Sequence, residues 1–223
     1  MLNIIKTLRL RKQAKLHIGD EVSIHSDLGA KFAYKGIFAY LNGDYVRSLS
    51  HFEKAMKHST VSQNNAFCLD WMSQCYEAQE KPVVSLRCCV KAVQVEPGNI
   101  KSLFNLADMY VRQGNFAKAE FYYNQILRYD SKNTAASFML GTLFMGKGLY
   151  EQAEEQFGKT LEMDDKFTSA FAEMSVLMAF KGDYLKMDSY YEKAKERKYV
   201  ETDRLKNRLI SIMKIQELCH DNQ

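Results

Sequence analysis

Residues 101–161 read KSLFNLADMYVRQGNFAKAEFYYNQILRYDSKNTAASFMLGTLFMGKGLYEQAEEQFGKTL, and two glycine-aromatic turns in it, Gly114 to Phe116 and Gly148 to Tyr150, stand 34 residues apart. A third, Gly182 to Tyr184, follows after another 34, and a fourth, Gly43 to Tyr45, precedes Gly114 by 71, two periods plus three. Glu80, Lys81 and Pro82 occupy the missing register. A fixed period of this length marks a repeat architecture, in which each unit is one supersecondary element unable to bury its apolar face alone. Five units result, 29–62, 66–99, 100–133, 134–167 and 168–201, with three extra residues after the first.

Each unit reads as helix, short turn, helix and link. Leu69, Met72 and Tyr76, or Leu103, Leu106 and Tyr110, lie three and four apart and form one buried stripe. In the first unit Phe32 takes that role, although Lys35 stands at a usually apolar place. Small residues recur where helices must approach: Gly36, Ala107, Gly141 and Ser175 in first helices, Ser48, Ser85, Ala119 and Ala153 in second helices. Aromatics recur late in the second helix as Phe52, Tyr123, Phe157 and Tyr191, with Cys89 in the second unit. Residues 202–216 supply a final helix to cover the last hairpin, with Leu205, Leu209, Ile212 and Met213 inward and Arg204, Lys206, Arg208 and Lys214 in water.

The pattern L-x-x-L-A-x-x-Y, G-x-F, A-x-x-x-Y-x-x-I of Leu103 to Ile126, repeated by Leu140 to Thr160, resembles the tetratricopeptide repeat, and the resemblance covers residues 29–201. It implies an all-α fold, a right-handed superhelical solenoid of antiparallel hairpins, whose concave groove is lined by first helices. Carried over unit by unit, the lining comprises Tyr34, Ile37 and Tyr40; Phe67, Asp70, Trp71 and Gln74; Phe104, Asn105, Asp108 and Arg112; Phe138, Met139 and Thr142; and Glu173 and Val176. Trp71, the only tryptophan, is the expected binding anchor. The Lys and Asn places with which chaperone-binding members of that family grip a C-terminal carboxylate hold Ala33, Ile37 and Trp71, so that clamp is absent from the first three units. Apolar and aromatic lining with scattered acids favours an apolar, basic peptide or helix.

Composition narrows the function classes. The 223 residues carry 46% hydrophobic and 12% aromatic residues, enough to bury a core, and no apolar run approaches the roughly 20 residues of a membrane span. The net charge of +4 is local: Lys6, Arg9, Arg11, Lys12 and Lys15 precede the first acid, Asp20. A near-neutral remainder argues against nucleic acid as the partner. Five cysteines without a CxxC pair fit free thiols in a reducing compartment, so a cytoplasmic location is expected, with no metal and no cofactor. His51 and His58 read as surface histidines.

Nucleophile elbows, HExxH, phosphate-cradling loops and dinucleotide fingerprints are missing, so no catalytic residue is assigned. The expected function is a non-catalytic adaptor, monomeric or homodimeric, binding a protein or peptide in its groove. The basic, imperfectly amphipathic helix read in residues 1–16, within an N-terminal segment 1–28, shows no secretory signal. It meets the description of the groove's ligand, and it could instead rest weakly on an anionic membrane surface. Residues 202–223 form the cap and tail.

Overall fold

In a computed structural model the chain is described over residues 28–59 and 62–220, and every regular element there is a helix. The N-terminal helix expected before residue 28 lies outside the described residues. In order the elements are α1 (Leu28–Leu41), α2 (Tyr45–Lys57), α3 (Ser62–Ala78), α4 (Pro82–Val95), α5 (Ile100–Arg112) and α6 (Phe116–Tyr129). Then follow α7 (Thr134–Gly146), α8 (Tyr150–Met163), α9 (Thr168–Phe180), α10 (Tyr184–Glu196) and α11 (Thr202–His220).

The turns explain the alternation. At Gly43, Gly114, Gly148 and Gly182 the backbone enters the left-handed region, φ +70° to +80°, where a side chain is strained. The second hairpin has no glycine there, and Glu80 takes the same conformation at φ 59°. Asp44 and Asp183 then start the next helix by accepting hydrogen bonds from the backbone N–H of Arg47 and Lys186. In the second hairpin Pro82 serves instead, its fixed φ suited to a first helical turn.

The described residues form two compact units, one reaching Tyr122 and the other starting at Tyr123. In the first, α1 pairs with α2 and α3 with α4; α2 packs on α3, α4 on α5, and first helix lies against first helix from α1 to α3 to α5. In the second, α7 pairs with α8 and α9 with α10, α9 packs on α7 and α8, and α11 covers α9. The three extra residues after the first repeat do not form a loop: positions 63–65 are helical and lengthen α3 to 17 residues.

The first, second and fourth hairpins each close on a complementary pair. A Cβ added to Gly36 would lie 2.8 Å from the ring of Phe52, and one added to Gly141 would lie 2.6 Å from the ring of Phe157, so glycine is what lets these aromatics seat. In the second hairpin Ser73 faces Cys89 in this role, and the two side chains share a hydrogen bond. Leu205, Leu209 and Ile212 of α11 are buried as expected, but its outer face carries exposed Ile210, Ile215 and Leu218 as well as cations, so the cap is not purely polar outside.

Candidate functional site

The first-helix residues divide into a core set and a surface set, and the division differs from the expected lining. In the first unit Ile37, Phe67, Asp70 and Trp71 are all buried. Trp71, 4% exposed, sits edge-on to Tyr40 at 5.2 Å, stacks on Phe52 at 6.2 Å and meets Phe67 at 6.3 Å between centroids. It fills the space between the first two hairpins, so the binding anchor expected at Trp71 is corrected to a core residue. The physical reason is area: an indole wedged among three rings gains more from burial than from waiting for a ligand.

Asp70 is likewise inside. Its Oδ2 accepts a hydrogen bond of 2.8 Å from Ser102 Oγ on α5, and its backbone carbonyl accepts one from Ser73. A carboxylate taken from water needs such donors. Glu77, on the same face of α3 and half-buried, pairs with Arg112 of α5 at 3.2 Å. The surface set of this unit is therefore Gln74, Phe104, Asn105 and Asp108, all half-buried, with Arg112 exposed at its edge. Tyr34 and Tyr40 are also half-buried, and burial is the main cause raising the Tyr40 phenol above its ordinary pKa. The Asn105 side-chain nitrogen is shut off from solvent and has no acceptor.

In the second unit Val176 is fully buried, because α9 is covered on several sides by α7, α8, α10 and α11. Glu173 is only half-exposed and pairs with Arg208 of α11 at 3.0 Å. Phe138 and Met139 stay half-buried and Thr142 exposed; the Phe138 ring leans on Phe157 and Phe167, and Thr142 Oγ1 donates to the Phe138 carbonyl. Val176, Ile37 and Phe67 join Trp71 as corrections to the lining. Sequence reasoning missed Ser102 and Arg208, which neutralise or satisfy two of the expected acids. Arg208, expected in water, pairs with Glu173 instead, and the spacing of 35 between them, one repeat plus one, is the signal in the sequence.

Cys68, Cys75, Cys88 and Cys89 are buried free thiols. Burial pushes Cys68 and Cys89 up to about 12 and Cys75 up to about 11, so none of these three carries thiolate at neutral pH. They pack as small apolar residues, with Cys75 sharing a hydrogen bond with Ser48. His51 is not a plain surface residue: it is half-buried and stacked on Phe32. No helix among the described residues is long and apolar enough to cross a membrane.

Two family models described as tetratricopeptide repeat match residues 88–121 and 110–174. The mouse protein named DnaJ homolog subfamily C member 3 is 28% identical over 79 residues, 35% of this chain, and the match spans only 16% of that protein's length. A tetratricopeptide repeat protein from Parabacteroides merdae superposes with a TM-score of 0.73 at 22% identity, covering 83% of this chain and 73% of that one. YrrB, described as a TPR protein with an unusual peptide-binding site, superposes at 0.61 with 18% identity over 89% of this chain and 97% of its own. At these identities the structural likeness shows the fold alone, an all-α array of helical hairpins of the solenoid type. With the 34-residue period and the paired helices in agreement with both matches, residues 88–174 carry tetratricopeptide repeats.

Proposed function

We propose that the protein is a non-catalytic interaction adaptor that receives an apolar segment of a protein partner on the surface of its first helices. In the first unit that surface is Gln74, Phe104, Asn105, Asp108 and Arg112; in the second it is Phe138, Met139 and Thr142. The observation that carries the reading is the side-chain nitrogen of Asn105, a donor removed from water and given no acceptor by the fold. Leaving such a donor unmet costs about 1–3 kcal/mol. Asn105 itself is half-buried, so rotation about its terminal torsion turns the amide outward, where a backbone carbonyl of a bound segment would satisfy it.

Affinity in this reading comes from Phe104, Phe138 and Met139 rather than from acids. Glu77, Glu173 and Asp70 are already engaged by Arg112, Arg208 and Ser102, so a basic partner would have to compete with those contacts. The buried free thiols are what a reducing, cytoplasmic setting leaves.

The test is selection of peptides from a displayed library on the full chain. A consensus of apolar residues is expected, and its binding should fall at least about tenfold in Phe104→Ala/Asn105→Ala, the size of a lost anchor and one hydrogen bond. Selected peptides that bind the double variant as well as the parent would refute this surface.

A further inference from the structure

The outer face of the first hairpin gathers basic side chains around one aromatic ring. On α2, Arg47, His51, Lys54 and His58 recur at intervals of four, three and four, which places them within about 60° of one another around the helix. From α1, Phe32 inserts its ring against this stripe, stacked on His51 at 6.2 Å and on His58 at 5.6 Å. Lys35 Nζ lies 5.6 Å from the centroid of the same ring and Lys54 Nζ 5.9 Å from it. The two ammonium groups thus gather over a single phenyl, attracted by its electron-rich face.

Nothing on the hairpin neutralises this pair. Asp44 is occupied at the turn, paired with Arg47 at 3.3 Å and capping α2. Glu53 is turned towards α3, where its charge helps raise the Tyr76 phenol. Neither Lys35 nor Lys54 has a carboxylate within ion-pair distance among the described residues. The buried Nδ1 of His51 has no partner either. Lys31 and Lys57 add two further exposed cations. Lys35 therefore explains itself: the repeat pattern asks for an apolar residue there, and the chain has instead placed a charge on the outside of the hairpin.

We propose that this face docks on an anionic phospholipid surface, with Lys35 and Lys54 meeting headgroup phosphates beside Phe32. Three features favour a bilayer surface over a discrete anion or an acidic protein segment. The stripe from Arg47 to His58 extends over about 16 Å of helix, a span of several headgroups rather than one phosphate. Lys35, Arg47, Lys54 and His58 all stand exposed on this face, so selection is by charge density. The chain also enters α1 beside the same stripe, where the Cβ position of Gly29 lies 3.5 Å from the His58 carbonyl oxygen, with half-exposed Leu28 next to it. The sequence that precedes this entry point carries Lys6, Arg9, Arg11, Lys12 and Lys15, interspersed with Ile4, Ile5 and Leu8. An acidic peptide would use the cations but not those apolar residues; a lipid surface uses both. Two weak contacts on one tether multiply. This inference is independent of the first-helix surface.

The test is co-sedimentation of the full chain with vesicles of phosphatidylcholine containing about one third phosphatidylserine, against phosphatidylcholine alone. Binding to the anionic vesicles only is expected, weakened by added salt. Lys35→Gln/Lys54→Gln should lower the partition coefficient about 25-fold, roughly fivefold for each cation near the surface. Lys159→Gln/Lys195→Gln, which removes two lysines paired with Glu155 and Glu192 elsewhere, should change it little. Lys35→Arg/Lys54→Arg keeps the charge and should retain binding, which separates charge loss from misfolding. Absence of vesicle binding, or an equal fall in both glutamine pairs, overturns the proposal. So does binding of polyglutamate, lost on Lys35→Gln/Lys54→Gln, without any binding to vesicles.

Discussion

Replacing Gly141 by alanine sets two well-known effects against each other. An alanine in the middle of α7 improves helix propensity by about 1 kcal/mol over glycine. Its methyl, however, would stand 2.6 Å from two carbons of the Phe157 ring, where ordinary contacts begin at 3.4 Å, so the ring must retreat by at least 0.8 Å. Phe157 is completely buried, and Phe138 lies against it at 5.7 Å between centroids, itself leaning on Phe167. With no room to swing, the ring makes overpacking of about 1–3 kcal/mol the larger effect. A retreat of that size in a filled site takes the upper part of this range, about 2–3 kcal/mol, so Gly141→Ala should lose about 1–2 kcal/mol net. Gly158→Ala, where an added Cβ meets nothing within 4 Å, is the control and should gain up to about 1 kcal/mol. Urea unfolding followed by far-UV circular dichroism measures both. In a Phe157→Leu background the alanine at 141 should become neutral or stabilising, because the clash has gone. A Gly141→Ala protein as stable as the parent would refute the steric account of the hairpin.

Three further outcomes can be checked in the same assay. Glu80→Gly relieves a left-handed residue and should stabilise by about 0.5–1 kcal/mol, whereas Gly114→Glu, imposing that strain, should cost about 1–2 kcal/mol; the reverse order would mean that these turns are not strained. Ser102→Ala removes the donor to buried Asp70 and should cost about 1.5–3 kcal/mol, and a loss below about 0.5 kcal/mol would show that this hydrogen bond contributes little. Burial, with Lys54, Lys35 and Arg47 adding to it and Asp44 opposing, lowers the pKa of His51 below the ordinary 6.5. The folded protein then takes up this proton less readily than the unfolded chain, so the contribution is present above pH 6.5 and is lost as pH falls through the depressed value. Unfolding midpoints should thus decline more steeply on acidification in the parent than in His51→Gln, and parallel declines would contradict the shift.

The hairpins were legible because their signal is periodic. Gly36 and Gly141 stand opposite Phe52 and Phe157 in every reading of the repeat, and the fold seats them there. The lining of the first helices was legible only in part, because a family position says which way a side chain points, not what else arrives there. Trp71 points as expected, but Tyr40, Phe52 and Phe67 close around it. Val176 disappears beneath helices packed on α9, and Glu173 is claimed by Arg208, a residue from outside the repeats. Such occlusions depend on neighbours one period away in the chain, which no local pattern contains. The Phe32 cluster escaped for the opposite reason: Lys35, His51 and Lys54 each look like an ordinary surface residue until one ring gathers them.

The paired closure of these hairpins has a bearing on how such chains are varied. Glycine with phenylalanine in the fourth repeat and serine with cysteine in the second are two keys for the same lock, and their halves do not mix. A recombinant joining α7 to α4 would set Gly141 opposite Cys89 and leave a phenyl-sized void; one joining α3 to α8 would drive the hydroxyl of Ser73 into the ring of Phe157. The unit of exchange is therefore the whole hairpin. Crossovers tolerated by evolution or by a shuffling library should fall in the links between hairpins, such as 97–99 and 131–133, and be depleted at the glycine turns, where the chain looks simplest to cut.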